Sequence, residues 1–271
     1  MSATVFAGAL FAGPVLAGPL RANANDVPLA DIPALVLPAL GETLIMVGIV
    51  MAVVVVVGVP LGAIIHNLAR DGLFPNPSLH SALSWIVSVG RSLPFLILMV
   101  AIIPFTRLLT GTNIGIAAAV VPMSVAGIAF FTRIVENSLR SVPPSLVKVA
   151  KSSGGSSFQI IRTAQLGEAV PSLIGGLTIN TIAMIEYSAI AGTIGAGGIG
   201  YVAITYGYQR FDNQVMLATI IILVALVAAV QVIGDALVRL TTPHSSTASD
   251  RRFARKVARL DIESANAASP V

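Results

Sequence analysis

One carboxylate interrupts an apolar stretch of this chain. Glu186 lies within the fourth long apolar segment, and ionisable side chains deep in a membrane span usually face a bundle interior or water. We therefore hypothesise that Glu186 faces a translocation path, beside Met184, Tyr187 and Ser188, and biases that path toward a cationic or hydrogen-bonding substrate. The structural alternative is a protonated carboxyl, or one bonded to Ser188 or Arg91.

The residue types that other chemistry requires do not occur in usable patterns. The chain has no cysteine, which excludes disulfides, thiolate metal sites and a cysteine nucleophile. His66, His80 and His244 match no metal-ligand spacing, and neither paired carboxylates with a histidine nor a Ser-His-Asp set is found. We therefore expect a protein that is not an enzyme and that itself binds no cofactor and no metal.

A glycine-rich segment, 195–200, matches the G-x-G-x-x-G dinucleotide pattern. That interpretation requires a preceding strand at a sheet edge, whereas here an apolar span precedes the glycines. We expect the glycines to bend the chain where the span ends, allowing close helix approach or a re-entrant turn. No phosphate loop of the type G-x-x-x-x-G-K-S/T occurs, so any ATPase is a separate chain.

The composition is that of a polytopic membrane protein. Only 10% of the 271 residues are charged, against about a quarter in soluble domains, and the mean hydropathy is +0.90. A helix needs about 20 apolar residues to cross the hydrocarbon. Five segments are long enough, so the predicted fold is all-α with five transmembrane helices, at about 44–65, 81–105, 113–132, 169–191 and 214–234.

The basic residues predict the orientation, because cytoplasmic loops carry an excess of Lys and Arg. With a cytosolic C-terminus, twelve basic residues lie inside and three outside, while Arg91 is undecided near the inner end of its span. The inside set is Arg70, Arg133, Arg140, Lys148, Lys151, Arg162, Arg239, Arg251, Arg252, Arg255, Lys256 and Arg259. The outside set is Arg21, Arg107 and Arg210. The N-terminus is then outside.

The predicted organisation has three parts. Residues 1–40 form an N-terminal lead-in that is exposed or interfacial, although the stretch 4–20 also fits a cleaved signal or a sixth span. Residues 41–240 form the membrane domain, and residues 241–271 form a basic cytosolic tail.

The tail has a possible amphipathic helix. Phe253, Val257 and Leu260 line one side of it, with basic residues around them. This pattern favours attachment to the anionic lipids of the inner leaflet. A disordered tail is the alternative, and we expect no nucleic-acid partner.

Two other charge placements predict local structure. Asp235 and Arg239 are four residues apart at the inner end of the fifth span, a spacing that suits an ion pair. Glu42 lies near the outer start of the first span, and we expect it to be a charge at that helix's N-terminus.

The polar segment 141–165, between the third and fourth spans, predicts a short helical hairpin on the cytosolic side. A helix start, a left-handed helix end and the cap of a second short helix are signalled by Pro143 and Pro144, by Gly154 and Gly155, and by Ser156. Apolar edges are formed by Leu146, Val149 and Ala150 in the first helix and by Phe158, Ile160 and Ile161 in the second. Such a hairpin can dock on a soluble partner or lie on lipid headgroups, and spacing alone does not decide.

The hairpin resembles the cytoplasmic coupling motif of ABC importer permeases. That motif has Glu-Ala-Ala, a Gly four residues after the second Ala, and a later Leu-Pro. The matching residues are Ala150, Gly154 and Leu166, and the departures are Lys148 for the Glu, Val149 for the first Ala and Gly167 for the Pro.

The chain from about residue 40 to 240 is similar to the methionine-importer branch of these permeases. The similarity is carried, in order, by Arg91-Ser92-Leu93-Pro94-Phe95, Ile103-Pro104-Phe105-Thr106-Arg107, Gly111-Thr112, Ala119-Val120-Val121-Pro122, Arg133-Ile134-Val135-Glu136-Asn137, Tyr187-Ser188-Ala189 and Tyr206-Gly207-Tyr208. At the position of Glu186 the related permeases usually have a small residue.

The resemblance implies a permease that forms a homodimer in the bacterial inner membrane, with a path between the copies. It also implies two cytosolic ATP-binding cassette ATPases, which hold ATP and Mg, and an extracytoplasmic binding protein for methionine or a related amino acid. The hairpin would bind in a groove on an ATPase, and the movement of the hairpin would be passed to the third and fourth spans. The ATPase-coupling residues would be Leu146, Lys148, Val149, Ala150, Gly154, Phe158 and Ile161.

A secondary transporter or channel that uses Glu186 as a proton or cation site is the main alternative. It accounts for the carboxylate within a span. It does not account for a helical cytosolic hairpin, and five spans cannot be divided into two equal inverted repeats.

Overall fold

The computed structural model describes residues 27–242, and all regular structure in that range is helical. In chain order the helices are α1 (Ile32–Leu68), α2 (Pro77–Ser92), α3 (Phe95–Ala101), α4 (Ile103–Thr110), α5 (Ile116–Arg140), α6 (Pro144–Ser152), α7 (Ser157–Gln159), α8 (Leu166–Gly192), α9 (Gly198–Val202) and α10 (Asn213–Thr241). A π-helical turn, Ile160–Gln165, joins α7 to α8, and a second, Ala203–Tyr208, follows α9. The predicted all-α fold is confirmed. The stretch 4–20 and the predicted tail helix lie outside the described residues.

Four helices within residues 27–242 are long and apolar enough to cross a membrane. They are α1, α5, the continuous rod Ser157–Gly192 and α10. A fifth crossing requires α2 and α3 to form one span, and these two helices are bent by 106° to each other.

The second predicted span is therefore broken rather than continuous. Leu93 adopts an extended conformation because the following Pro94 disfavours helical backbone at the residue before it. Arg91, expected near the inner end of this span, lies instead in the last turn of α2, beside the bend. Its guanidinium carbon is 5.6 Å from the centre of the Phe130 ring.

The first helix begins at Ile32, twelve residues before its predicted start. A proline occupies its first turn, where a missing backbone N–H leaves no hydrogen bond unmade. With 37 residues at about 1.5 Å each, α1 is about 55 Å long, whereas the hydrocarbon is about 30 Å thick. Part of α1 therefore extends beyond the bilayer core.

Helix α5 is central to the bundle and packs closely on both α1 and α8. A Cβ added to Gly62 of α1 would lie 2.6 Å from Val135 Cβ of α5. A Cβ added to Gly127 of α5 would lie 2.7 Å from Val54 Cγ2 and 3.1 Å from Met184 Sδ. Small residues at such positions let membrane helices approach closely. The buried core follows these two contacts along α5.

The turn between α8 and α9 contains the glycine-rich segment and confirms the predicted bend. Gly195 and Gly197 have φ angles of +93° and +86°, which side chains other than glycine rarely adopt. A Cβ added to Gly192 would lie 2.4 Å from the backbone nitrogen of Tyr201. The glycines therefore allow both the sharp turn and the close approach of α9 to α8.

Glu42 is a charge at a helix N-terminus, but not at the one predicted. Because α1 starts at Ile32, Glu42 lies inside it. Its Oε2 accepts a hydrogen bond from the Gly198 backbone N–H at 2.7 Å, and Oγ1 of Thr43 accepts one from Ile199 N–H at 3.0 Å. Glu42 therefore stabilises the start of α9.

The predicted ion pair between Asp235 and Arg239 does not form. Gln231, one turn earlier on α10, donates a hydrogen bond from Nε2 to Asp235 Oδ1 at 3.0 Å. Within residues 27–242, every ion pair involves Glu136. The prediction was wrong: the observed donor to the Asp235 carboxylate is the neutral amide of Gln231 and not Arg239.

Candidate coupling hairpin and translocation surface

The first arm of the hairpin is α6, and its end has the geometry that the glycines predicted. Gly154 N–H donates to the Lys151 carbonyl at 3.0 Å, and Gly155 N–H donates to the Ala150 carbonyl at 3.1 Å. This pair of bonds is a Schellman motif, with Gly154 left-handed at φ +78°. Gly155 does not have a positive φ, so only Gly154 is left-handed as predicted.

The second arm begins with a capping box. Ser156 Oγ accepts a hydrogen bond from Gln159 N–H at 3.3 Å, and Gln159 Oε1 accepts one from Ser156 N–H at 2.9 Å. The predicted cap at Ser156 is confirmed. The helix it starts is not short and separate, however, because it continues through the π-helical turn as one rod to Gly192.

A buried pair of amides anchors the π-helical turn to the first helix. Asn67 Nδ2 donates to Gln165 Oε1 at 2.8 Å, and Gln165 Nε2 donates to Asn67 Oδ1 at 3.0 Å. Asn67 is fully buried and Gln165 is 3% exposed. Sequence reasoning missed this pair, and the only available signal was an Asn at the end of an apolar segment.

The predicted coupling residues lie on different faces of the hairpin. Three of the apolar ones are exposed: Leu146 at 40%, Val149 at 63% and Phe158 at 71%. Ala150 is half-buried, and Ile161 packs against the core. Ile160, from the same predicted apolar edge as Phe158, is buried.

Lys148 lies on another face of α6, toward the ends of α1 and α5, where it lines a cleft. Leu146, Val149 and Phe158 are the exposed apolar side chains among the predicted coupling residues, and we call these three residues the docking surface. It contains three of the seven predicted coupling residues.

Among the four predicted path residues, only Glu186 is exposed. Met184 is fully buried against α5, and Ser188 is buried with its hydroxyl donating to the Ile185 carbonyl at 2.6 Å. Tyr187 stacks on Phe95 of α3, with ring centroids 4.3 Å apart. Met184 and Ser188 therefore lie in the interior of the protomer, and of the four residues only Glu186 is presented at its surface.

The carboxylate of Glu186 has no hydrogen-bond or ion-pair partner among residues 27–242. The predicted alternative, a bond to Ser188 or Arg91, is therefore not present in the protomer.

Along α8 only Val170 and Ile179 are large exposed apolar side chains. In contrast, α10 exposes Leu217, Ile220, Ile221, Val224, Val232, Ile233, Leu237 and Leu240, as a lipid-facing helix does.

A buried carboxylate near the end of α5 organises the basic residues there. Glu136 is 2% exposed, and its two oxygens accept hydrogen bonds from Arg133 and Arg140. His80 of α2 lies 3.9 Å from the same carboxylate. The hydrogen bonds of this network lie within α5, because His80 is beyond hydrogen-bond distance. No group of three or more His, Cys, Asp or Glu in residues 27–242 could hold a metal ion.

A family profile described as the binding-protein-dependent transport system inner membrane component matches residues 58–244. A probable D-methionine transport system permease protein MetI from Vibrio cholerae is 48% identical over 73% of this chain and 88% of its own length. Its counterpart from Pasteurella multocida is 41% identical over 72% and 89%. The methionine import system permease protein MetP from Bacillus subtilis is 36% identical over 62% and 75%.

Solved structures of the MetNI methionine ABC transporter in inward-facing conformations contain a similar chain. One is 38% identical with a TM-score of 0.75, covering 76% of this chain and 96% of that one. A second crystal form gives a TM-score of 0.76, with 78% and 97% covered.

The fold is therefore that of a multi-pass membrane permease of the ABC importer class. The chain belongs to the family of binding-protein-dependent transport system inner membrane components.

Proposed function

We propose that this permease imports methionine or a closely related amino acid. The relatives from Vibrio cholerae and Pasteurella multocida are named for D-methionine transport, and the MetNI structures for methionine transport. The substrate is received from an extracytoplasmic binding protein. Transport is driven by two ATP-binding cassette subunits, which bind ATP and Mg and do the hydrolysis.

The working unit in this proposal is a homodimer with its path between the two copies. The face of α8 around Glu186 supports it, because that face exposes few large apolar side chains and an unpaired carboxylate. A span that faces lipid exposes many large apolar side chains and rarely an unpaired carboxylate. Two copies of Glu186 would then flank the path and favour a substrate that has an ammonium group.

The hairpin 141–165 transmits the movement of the ATPase in this proposal. The docking surface binds the ATPase, and the helix that begins at Ser157 carries the displacement directly to Glu186. The support is geometric: the Schellman end and the capping box fix the hairpin, and no break occurs between Ser157 and Gly192. A rigid-body switch requires this kind of stiff connection.

The hairpin end of the bundle is cytosolic in this proposal, and the N-terminus is outside. Arg70, Arg133, Arg140, Lys148, Lys151, Arg162 and Arg239 belong to that end by helix order, as the ends of α1, α5 and α10 do. The excess of Lys and Arg at one end supports the assignment. The membrane domain starts with α1 at Ile32, and the basic tail 241–271 lies at the inner leaflet.

The observation that carries the proposal is the exposure of Val149 and Phe158 on a hairpin whose backbone is fixed at both helix ends. Large apolar side chains on a polar segment indicate a partner surface.

Uptake of labelled methionine into proteoliposomes, with the ATPase subunits and binding protein, tests the proposal. We expect uptake that requires ATP, and its loss in Val149→Glu and Phe158→Glu variants. Ser145→Glu, at an exposed position in the first turn of α6 where an acidic side chain suits the helix dipole, is the matched control and should retain uptake. Uptake driven by a proton gradient without an ATPase would instead support a secondary transporter using Glu186.

A further inference from the structure

A cleft of about 600 Å³ lies between the hairpin and the membrane domain. Its walls are the end of α1, the loop after it, the end of α5, one face of α6 and the π-helical turn. The polar and charged side chains that line it are His66, Asp71, Glu136, Arg140, Lys148, Lys151 and Gln165. Its volume is in the range of small-molecule sites, about 300–1,000 Å³.

One face of α6 points into this cleft, and that face is not the docking surface. The lining residues of α6 are Pro144, Val147, Lys148 and Lys151, spaced three, four and seven residues from the first. This spacing places them on one side of the helix. Leu146 and Val149 point elsewhere and are exposed. A partner bound to the docking surface therefore leaves the face of α6 that carries Lys148 and Lys151 on the cleft.

The basic groups of the cleft have hydrogen-bonding capacity to spare. Lys148 and Lys151 form no ion pair with any residue in 27–242. Arg140 uses Nη2 to bind Glu136, and its side chain is still 63% exposed. Three cationic side chains therefore present free N–H donors to one cavity.

The acidic groups of the cleft do not cancel this charge. Both oxygens of Glu136 are already bound, by Arg133 and Arg140, and the side chain is buried. Asp71 is exposed in the loop after α1 and makes no ion pair within the described range. Because Arg140 is paired with Glu136, the charged side chains left in the cleft are Lys148, Lys151 and Asp71, which leaves a net positive charge.

We propose that this cleft binds a phosphate group at the cytosolic boundary of the membrane. Three donors around one cavity match the oxygens of a phosphate, which accepts charge-assisted hydrogen bonds from Lys and Arg. Two sources present this chemistry: the headgroup of an anionic lipid and soluble phosphate compounds. Lys148 stands where the coupling motif has Glu, so the positive charge replaces a negative one at this wall of the cleft.

The test uses the full-length protein and two probes. In the first arm, inorganic phosphate is titrated into delipidated protein in detergent, and the rise in Tm gives the affinity. In the second arm, native mass spectrometry counts lipids retained from nanodiscs of phosphatidylglycerol or of phosphatidylcholine. A response to phosphate alone identifies a soluble ligand, and selective retention of phosphatidylglycerol identifies a headgroup.

The decisive variant is Lys148→Gln with Lys151→Gln, which we expect to weaken binding in the responding arm about tenfold or more. The single Lys151→Gln variant serves the same comparison if the double variant does not fold. Arg162→Gln, on the other arm of the hairpin and outside the cleft, should bind as the wild type does. Equal binding by the double variant and the wild type would overturn the proposal. So would a wild-type protein that neither responds to inorganic phosphate nor selectively retains phosphatidylglycerol.

Discussion

Asn67 and Gln165, 98 residues apart in sequence, exchange two hydrogen bonds of 2.8 and 3.0 Å in the protein interior. They join the end of α1 to the π-helical turn that connects the hairpin to α8. Because each amide satisfies the other, replacing one leaves buried donors and acceptors unpaired, at a cost of about 1–3 kcal/mol.

We therefore predict that Asn67→Leu and Gln165→Leu each lower the Tm of the purified protein measurably. The double variant Asn67→Leu/Gln165→Leu should be less destabilised than the sum of the two single variants, since both polar groups are then removed. Thermal unfolding of the wild type, the two single variants and the double variant completes the double-mutant cycle. Strict additivity would contradict the pairing.

Glu136 is predicted to be the most sensitive charged residue in the described chain. Glu136→Gln removes the negative charge that Arg133 and Arg140 bind. Because the site is buried, water does not compensate the two arginines for the lost carboxylate. We expect a loss of about 2 kcal/mol, less than the ~3–5 kcal/mol for fully buried pairs, because both arginines reach solvent. Glu168→Gln, at an exposed position, is the control, and an equal effect in both variants would refute the network.

Gly154 is predicted to matter through its backbone conformation alone. A Cβ at this position would meet no atom within 4 Å, so the cost of Gly154→Val comes from φ +78°, about 1 kcal/mol or more. Gly154→Asn should be milder, because Asn tolerates left-handed backbone.

The measurement for the Gly154 variants is the number of substrate molecules transported per ATP hydrolysed in proteoliposomes. We expect the wild type and Gly154→Asn to be similar and Gly154→Val to be less coupled. If Asn and Val impair coupling equally, the left-handed conformation is not the reason for the glycine.

Glu186 is predicted to face its counterpart in a second copy of the chain. The chain has no cysteine, so Glu186→Cys introduces a single reactive thiol. A short bis-maleimide should link two copies in the membrane. Val224→Cys, on the exposed apolar side of α10 and 64% exposed, is the control and should remain monomeric on denaturing gels. Cross-linking at Val224 but not at Glu186 would place the dimer interface on α10.

The turn chemistry of the hairpin was predictable because it is local. Gly154 and Ser156 act through bonds within five residues, and residue type at short spacing specifies such bonds. The extended length of the span after Ser156 was not predicted, because the polar residues of 157–165 resemble a loop. Buried partners such as Asn67 accommodate them, and sequence spacing does not reveal partners from distant helices.

The candidate path residues show a second limit of prediction from sequence, which is the direction in which each side chain points. The sequence singled out 184–188, but whether each side chain points inward or outward depends on which helices surround α8. Met184 packs against α5 at Gly127, and Tyr187 stacks on Phe95 of α3, whereas Glu186 is exposed. Similarly, Glu42 was recognised as a helix-terminal charge, although the helix it serves begins 156 residues later.

The central claim, that the docking surface is held by a separate ATPase, is tested most directly by cross-linking at Val149. The Val149→Cys variant, the sole cysteine of its chain, is purified with the ATP-binding cassette subunit and treated with a short thiol-to-amine cross-linker. Leu108→Cys on α4, which is 85% exposed at the other end of the bundle, is the control. We predict a product containing one permease and one ATPase chain for Val149→Cys and none for Leu108→Cys. Cross-linking of the ATPase at Leu108 alone, or no association of the two chains, would contradict the account.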